Sequence, residues 1–372
     1  MIATSARRVV PAVAALALGV SLTACGSNDD ATTNPTGASN DVASLSGELN
    51  GAGSSAQEKA QGAWATGFQG LTGGNVTVNY NPVGSGDGRT QFNQGGVDFA
   101  GTDSYFKDDE GELSAANKRC GGEDIIEVPA YVSPIAVFFN VPGVKTLNLD
   151  SDTIAKIFDG KIAKWNDKAI ADQNKDAKLP DLAITPVHRS DDSGTTKNFT
   201  DYLGKASKSW KYEAADAFPV KGGLAAEGTS GVVASVSKGK GTIGYADDSA
   251  LKGLDLGVAS LKVGDSYNAP SADGAAKVVE LSKAVAGRPA TDMAVDIDRT
   301  TTEAGAYPAI LVSYLVACQH YEDAAKADLV KGYLTYILGD GQQAAADEAG
   351  SAPLTKAVAD KALAIVAKIA AK

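Results

Sequence analysis

The stretch Ile125–Val141, IIEVPAYVSPIAVFFNV, constrains the fold of this chain more than any other. It is long and apolar, is interrupted by Pro129 and Pro134, and supplies two strand candidates, Ile125–Val128 and Ile135–Phe139. A second segment, Tyr307–Val316 (YPAILVSYLV), reads as another buried strand. Two such strands, far apart in the chain, suit crossings between two lobes, although periodicity alone does not show a crossing. Around them short β-like runs alternate with helix-like ones, the pattern of a layered α/β protein. Further strand candidates are Val76–Tyr80, Val97–Ala100, Ile184–His188 and Thr242–Tyr245. Helix candidates are Thr153–Phe158, Thr195–Leu203, Ala324–Leu338 and Thr355–Ala370, the last with its apolar residues mostly on one stripe.

The N-terminus bears on compartment. Arg7 and Arg8 precede the apolar run Val9–Leu22, which is too short and too early for a membrane span and reads as the core of a secretory signal. Leu22-Thr23-Ala24-Cys25 resembles a bacterial lipobox, so residues 1–24 are expected to be a lipoprotein signal peptide and Cys25 the lipidated mature N-terminus. An ordinary signal peptide with an incidental cysteine is the alternative. Residues 25–46 are small and polar and read as a flexible tether. The expected location is outside the cytoplasmic membrane, held by acyl chains. There an even pair of cysteines usually oxidises, so Cys120 and Cys318 are expected to form a disulfide, with two buried free thiols as the alternative. The net charge of −11 argues against nucleic acid or anionic lipid as partner. It does not argue against a small anion held by local hydrogen bonds.

Three loops rich in glycine and hydroxyls lie beside strand candidates. They are Gly51-Ala52-Gly53-Ser54-Ser55-Ala56-Gln57, Gly84-Ser85-Gly86-Asp87-Gly88, and His188–Thr196 (HRSDDSGTT). The first fits the dinucleotide pattern G-x-G-x-x-A, but Val76-Thr77-Val78 is followed by Asn79, Tyr80 and Asn81, with no carboxylate to hold a ribose. The second is one residue short of a P-loop and has Arg89 where a lysine belongs. As loops at helix N-termini all three suit an anion, because free N–H groups and the helix dipole favour negative charge and hydroxyls add donors. Arg189 adds a planar fork matched to a tetrahedral oxyanion. Each loop alone better suits a turn with an N-cap; three with an arginine favour the anion.

Asp103, in VDFAGTDS, would repel an anion unless the anion has a proton to donate. Phosphate at neutral pH has one and fully ionised sulfate does not, so one acceptor among donors discriminates between them. Alternatively Asp103 caps the following turn. Asp191 is expected to orient Arg189. Ser193 has His188 nearby but no G-x-S-x-G elbow. With only His188 and His320 and no H-E-x-x-H, no metal is expected. Asp296-Ile297-Asp298-Arg299-Thr300 spells the D-x-D-x-T of aspartate phosphatases, but it comes late in the chain and reads as a polar turn.

The lipobox, GAGSSAQ, NPVGSGDG, VDFAGTDS, IFDGKIAKWND and ITPVHRSDDSGTT occur in this order, and together they resemble the phosphate-binding lipoprotein of the phosphate-specific ABC importer. The resemblance runs from about Leu45 to the C-terminus and is clearest between 47 and 250. It implies a two-lobed type II periplasmic-binding-protein α/β fold, with two crossing hinge strands and a ligand cleft between the lobes. Lobe 1 would be 47–132 and 308–372, with both cysteines in it, and lobe 2 would be 133–307. The implied phosphate ligands are Ser55, the backbone of Ala56, Ser85, Asp103, Arg189, Ser193, Gly194 and Thr195, with Asp191 behind Arg189. Ala56 stands where the pattern often has an aromatic ring. The implied role is high-affinity phosphate binding and delivery to the ABC permease subunits, by a monomer with no enzymatic activity, cofactor or metal. The alternatives are a secreted phosphatase using Asp296 or Ser193, and a receptor for sulfate, molybdate or a phosphonate.

Overall fold

The run interrupted by prolines is one continuous strand, Ile126–Asn140, in which every residue but Asn140 is buried. The computed structural model describes residues 42–108 and 111–372; the signal peptide, Cys25 and most of the tether lie outside these residues. Along the chain come β1 (Gly47–Gly53), β2 (Val76–Asn81), β3 (Phe99–Thr102) and β4, the long strand, then β5 (Thr146–Leu149), β6 (Thr185–Arg189), β7 (Leu224–Ala226) and β8 (Thr242–Asp247). β9 (Gly257–Val263), β10 (Ser266–Asn268), the short pair β11 (Lys283–Ala284) and β12 (Val295–Asp296), and β13 (Ile310–Ala317) follow.

Both prolines fall where β4 does not need its full ladder. Pro129 faces Tyr314, at the slip in register between Ser313 and Tyr314 on β13, and a bulge tolerates a missing N–H. Pro134 is the last residue of β4 paired to β13; from Ile135 onward the strand pairs with β8. β4 therefore belongs to two half-sheets. The first runs β2-β1-β3-β13-β4 and the second β4-β8-β6-β7, with β9, β5 and β10 alongside.

Within each half the strands that matter run parallel: β1 with β2 and β3, and β6 with β7 and β8. Their carboxyl ends collect along one edge of each half, the usual place for ligands in open α/β sheets. Helices follow those ends: α1 (Glu58–Leu71), α2 (Ser85–Asn93), α3 (Glu112–Arg119), α4 (Ser151–Phe158), α5 (Gly194–Ala206) and α6 (Gly228–Lys238). Late in the chain come α7 (Ala324–Leu338) and α8 (Lys356–Val366). The last helix is shorter than its apolar stripe predicts, because Ala370 and Ala371 leave it to pair in parallel with His320 and Tyr321. Val42 and Leu45, at the end of the predicted tether, already pack on the core. Cys120, capping α3, is disulfide-bonded to Cys318, just past β13.

Candidate functional site

The three loops meet at the facing carboxyl edges of the two half-sheets. On the first side, the Ser54 hydroxyl accepts the Ala56 N–H at 3.1 Å and donates to Asp103 Oδ2 at 2.7 Å. Ser55 starts a short turn leading into α1, and its hydroxyl accepts the Thr229 N–H at 3.1 Å and contacts the Thr229 hydroxyl at 3.0 Å. Ser85 opens α2, and its hydroxyl accepts the Asp103 N–H at 3.1 Å. Gly84, before it, has φ 100, a conformation that only glycine adopts cheaply.

The second side supplies the cation and a further helix end. Arg189 is the last residue of β6 and is buried. Its guanidinium grips Asp191 with two nitrogens, Nε to Oδ1 at 2.7 Å and Nη2 to Oδ2. Asp191 also accepts the Gly228 N–H at 3.0 Å. Burial pushes the Asp191 carboxyl up, but the Arg189 hydrogen bond and charge outweigh it and hold the group below the ordinary carboxylate range. Ser193 caps α5 by accepting the Thr196 N–H at 3.1 Å. Gly194 follows, and a Cβ there would stand 2.5 Å from Ser85 Oγ and 2.8 Å from the Asp103 Cβ. Only glycine lets these two loops come so close. The Gly86 N–H donates to the Asp192 carbonyl at 3.0 Å, so backbone also spans the two sides.

Asp103 sits between them, buried, just beyond β3. Oδ2 accepts from Ser54 and, at 3.2 Å, from Thr195; Oδ1 accepts from Ser313 at 2.7 Å. Its carbonyl accepts from Asn198 of α5 at 2.6 Å. Burial raises its pKa above the ordinary carboxylate value, opposed by the Ser313, Ser54 and Thr195 hydrogen bonds and by the Arg189 charge. The structure thus brings Ser55, Ala56, Ser85, Asp103, Arg189, Ser193, Gly194 and Thr195 to one place, with Asp191 behind Arg189.

The other candidates do not assemble a reaction centre. His188 stacks on Phe218, its ring nitrogens facing the carbonyls of Arg189 and Gly222 at 2.9 and 3.1 Å. The Ser193 hydroxyl is engaged as a helix cap. Asp296 is a largely exposed end of the β11–β12 pair, bonded to Lys205 at 3.1 Å. Arg299, in the same motif, is buried and donates to Asn198 and to the carbonyls of Pro308 and Ile310, which ties α5 to the start of β13. Among the described residues no group of three or more His, Cys, Asp or Glu is placed to hold a metal ion, and no helix is long and apolar enough to cross a membrane.

Sequence reasoning passed over several participants. Gly228-Thr229-Ser230-Gly231 is a fourth glycine-and-hydroxyl loop at a helix start, with the same signature as the other three. Ser313 is a lone small hydroxyl inside YPAILVSYLV. Tyr245 on β8 contacts the Thr196 hydroxyl at 2.7 Å, and burial pushes its phenol up to about 12.

The family model described as the PBP superfamily domain matches residues 34–341. Phosphate-binding protein PstS2 of Mycobacterium bovis (strain BCG / Pasteur 1173P2) is 34% identical over 363 residues, which cover 95% of this chain and 97% of that protein. Phosphate-binding protein PstS 3 of Mycobacterium leprae is 35% identical over 350 residues, 90% of this chain and 92% of that one. Among solved structures, the periplasmic phosphate-binding protein PfluDING bound with phosphate superposes with a TM-score of 0.70 at 24% identity, covering 86% of this chain and 93% of that one.

Proposed function

The chain belongs to the PBP superfamily and, within it, to the PstS phosphate-binding proteins, and from that premise we propose that it captures inorganic phosphate outside the cytoplasm and delivers it to an ABC permease for import. The observation that carries this reading is Asp103: a buried carboxylate, supplied with hydroxyl donors, beside the helix end and the guanidinium that would neutralise an anion. An anion that offers a proton to Asp103 satisfies it; one without a proton leaves it facing negative charge.

In this reading Ser55, the Ala56 backbone, Ser85, Arg189, Ser193, Gly194 and Thr195 form the rest of the phosphate shell. Residues 47–132 and 308–372 form one lobe and 133–307 the other, with β4 and β13 as the hinge. Contacts spanning the two sides, such as Ser55 to Thr229 and Gly86 to Asp192, support a cleft that shuts on its ligand. Cys25 would carry the lipid anchor, and the protein would act as a monomer that holds its ligand without converting it.

Titration calorimetry tests this on protein lacking residues 1–25, unfolded and refolded to strip carried ligand. Tight one-to-one phosphate binding without sulfate heat is expected. Binding of both anions would make the protein a general oxyanion receptor, and binding of neither would remove the reading. Turnover of a phosphomonoester would replace it with a phosphatase.

A further inference from the structure

Behind Asp103 lies a chain of buried polar side chains whose hydrogen bonds all point one way. Tyr333 of α7 donates to Gln61 Oε1 at 2.9 Å. Gln61 Nε2 donates to Gln57 Oε1 at 2.8 Å. Gln57 Nε2 donates to Ser313 Oγ at 2.7 Å, and Ser313 donates to Asp103 Oδ1 at 2.7 Å. Tyr333, Gln61, Gln57 and Ser313 are all essentially inaccessible to solvent. Buried amides are retained in a core only when fully paired.

One backbone carbonyl fixes the polarity of the chain. Gln57 Nε2 also lies 3.0 Å from the Tyr314 carbonyl, which can only accept, so this end of the amide is the NH₂ group. Gln57 Oε1 must then accept from Gln61, and Gln61 Oε1 must accept from Tyr333. With an N–H behind it, Ser313 has one proton, and that proton goes to Asp103. Ser54 is arranged the same way, accepting the Ala56 N–H and donating to Oδ2. Space for the Gln57 amide depends on Gly101, where a Cβ would stand 2.4 Å from Gln57 Oε1.

Of the roughly four lone-pair sites of an ionised carboxylate, three on Asp103 accept hydroxyl protons from Ser54, Thr195 and Ser313, and protonation of Asp103 would fill the one left for a ligand's proton. We propose that Gln57 and Ser313 are positioning residues for specificity: they hold Asp103 as an ionised, acceptor-only carboxylate, so that the site reads a proton on its anion. This inference rests on the phosphate reading above. Burial alone works in the opposite direction, raising the Asp103 pKa, and the Ser313 bond is the largest of the opposing contributions.

The test is phosphate affinity against pH, with sulfate competition, for the wild type, Ser313→Ala and Gln57→Leu. In Ser313→Ala the acid fall-off of phosphate affinity is expected to move up by about one pH unit, as loss of one charge-assisted hydrogen bond implies, and in Gln57→Leu, which loosens the Ser313 proton without removing its bond, by less. Sulfate competition is expected to strengthen alongside it. A merely structural role would lower affinity equally at every pH and leave the anion ratio unchanged, and that outcome overturns the proposal. Failure of the wild type to bind phosphate at all would instead overturn the phosphate reading, so the two failures are distinct. Tyr333→Phe removes only the terminal hydroxyl and keeps the test open if the nearer changes prevent folding. It is expected to move the fall-off in the same direction by less, and an unmoved fall-off in a folded Tyr333→Phe would then overturn the proposal.

Discussion

The two sides of the cleft each hold a carboxylate, Asp103 buried and Asp191 half-buried, and the two are treated in opposite ways. Asp191 is gripped by Arg189 and its pKa is lowered; Asp103 receives hydroxyl protons from Ser54, Thr195 and Ser313 and its pKa is raised. A guanidinium bound to Asp191 remains an anion holder because its other N–H groups stay free to point elsewhere. A carboxylate surrounded by donors, with no cation bonded to it, keeps lone pairs for a ligand's proton. In the proposed reading one side supplies attraction to any oxyanion, while the other decides which oxyanion is accepted.

The sharpest way to break this contrast is to remove the cation. Arg189→Met should cost at least about a hundredfold in affinity for phosphate, since hydrogen bonds to charged groups are worth about 1.5–3 kcal/mol each and the half-buried Asp191 is left without its partner. Calorimetry against the wild type checks this, and a loss under about fivefold would show that Arg189 is not the anion's main anchor. Asp103→Asn should act on choice more than on strength. Phosphate affinity is expected to fall by about tenfold while sulfate affinity rises, because an amide facing the ligand donates as well as accepts. Unchanged discrimination by that variant would remove Asp103 from its role.

What could be read in the sequence divides along similar lines. Glycine and hydroxyl clusters at helix starts are local chemistry, and the meeting of the loops around Ser55, Ser85 and Ser193 could be anticipated from them. The helix Ala324–Leu338 likewise has the extent that its periodicity predicts. What stayed hidden depends on tertiary pairing. The prolines of β4 read as breaks because what accommodates them, the register slip opposite Pro129 and the change of partner strand after Pro134, lies on other strands. Glu127 looks like a lone charge in an apolar run. It is buried beside Arg288, whose Nη2 lies 3.0 Å away, and Asp292, which arrive from the β11–β12 hairpin. Burial, and then the Asp292 charge, push Glu127 well above the usual carboxylate range. Both partners lie in segment 251–300, which carried little signal in the sequence.

Asp191→Asn provides a control with a smaller effect. It loosens the guanidinium and also removes a negative charge from behind Arg189, and these changes oppose each other. Phosphate and sulfate affinities are expected to shift together, by about threefold or less, as for a partly compensated charged contact. A changed ratio between the anions would move part of the discrimination to the Arg189 side.

Acidification separates the two carboxylates without mutation. A carboxylate with a raised pKa takes up its proton first as pH falls, and one with a lowered pKa keeps its charge longer. As pH falls, Asp103 therefore begins to protonate while the Asp191–Arg189 pair stays intact. Protonated Asp103 is a donor, so it no longer penalises an anion without a proton. Discrimination against sulfate should accordingly weaken before the attraction for anions does, and the effect should be modest because the hydrogen bonds from Ser313, Ser54 and Thr195 hold Asp103 ionised. Competition titrations at a series of pH values give the order directly. If overall anion affinity falls first and the ratio holds, Arg189 and Asp191 rather than Asp103 set the acid limit of the site.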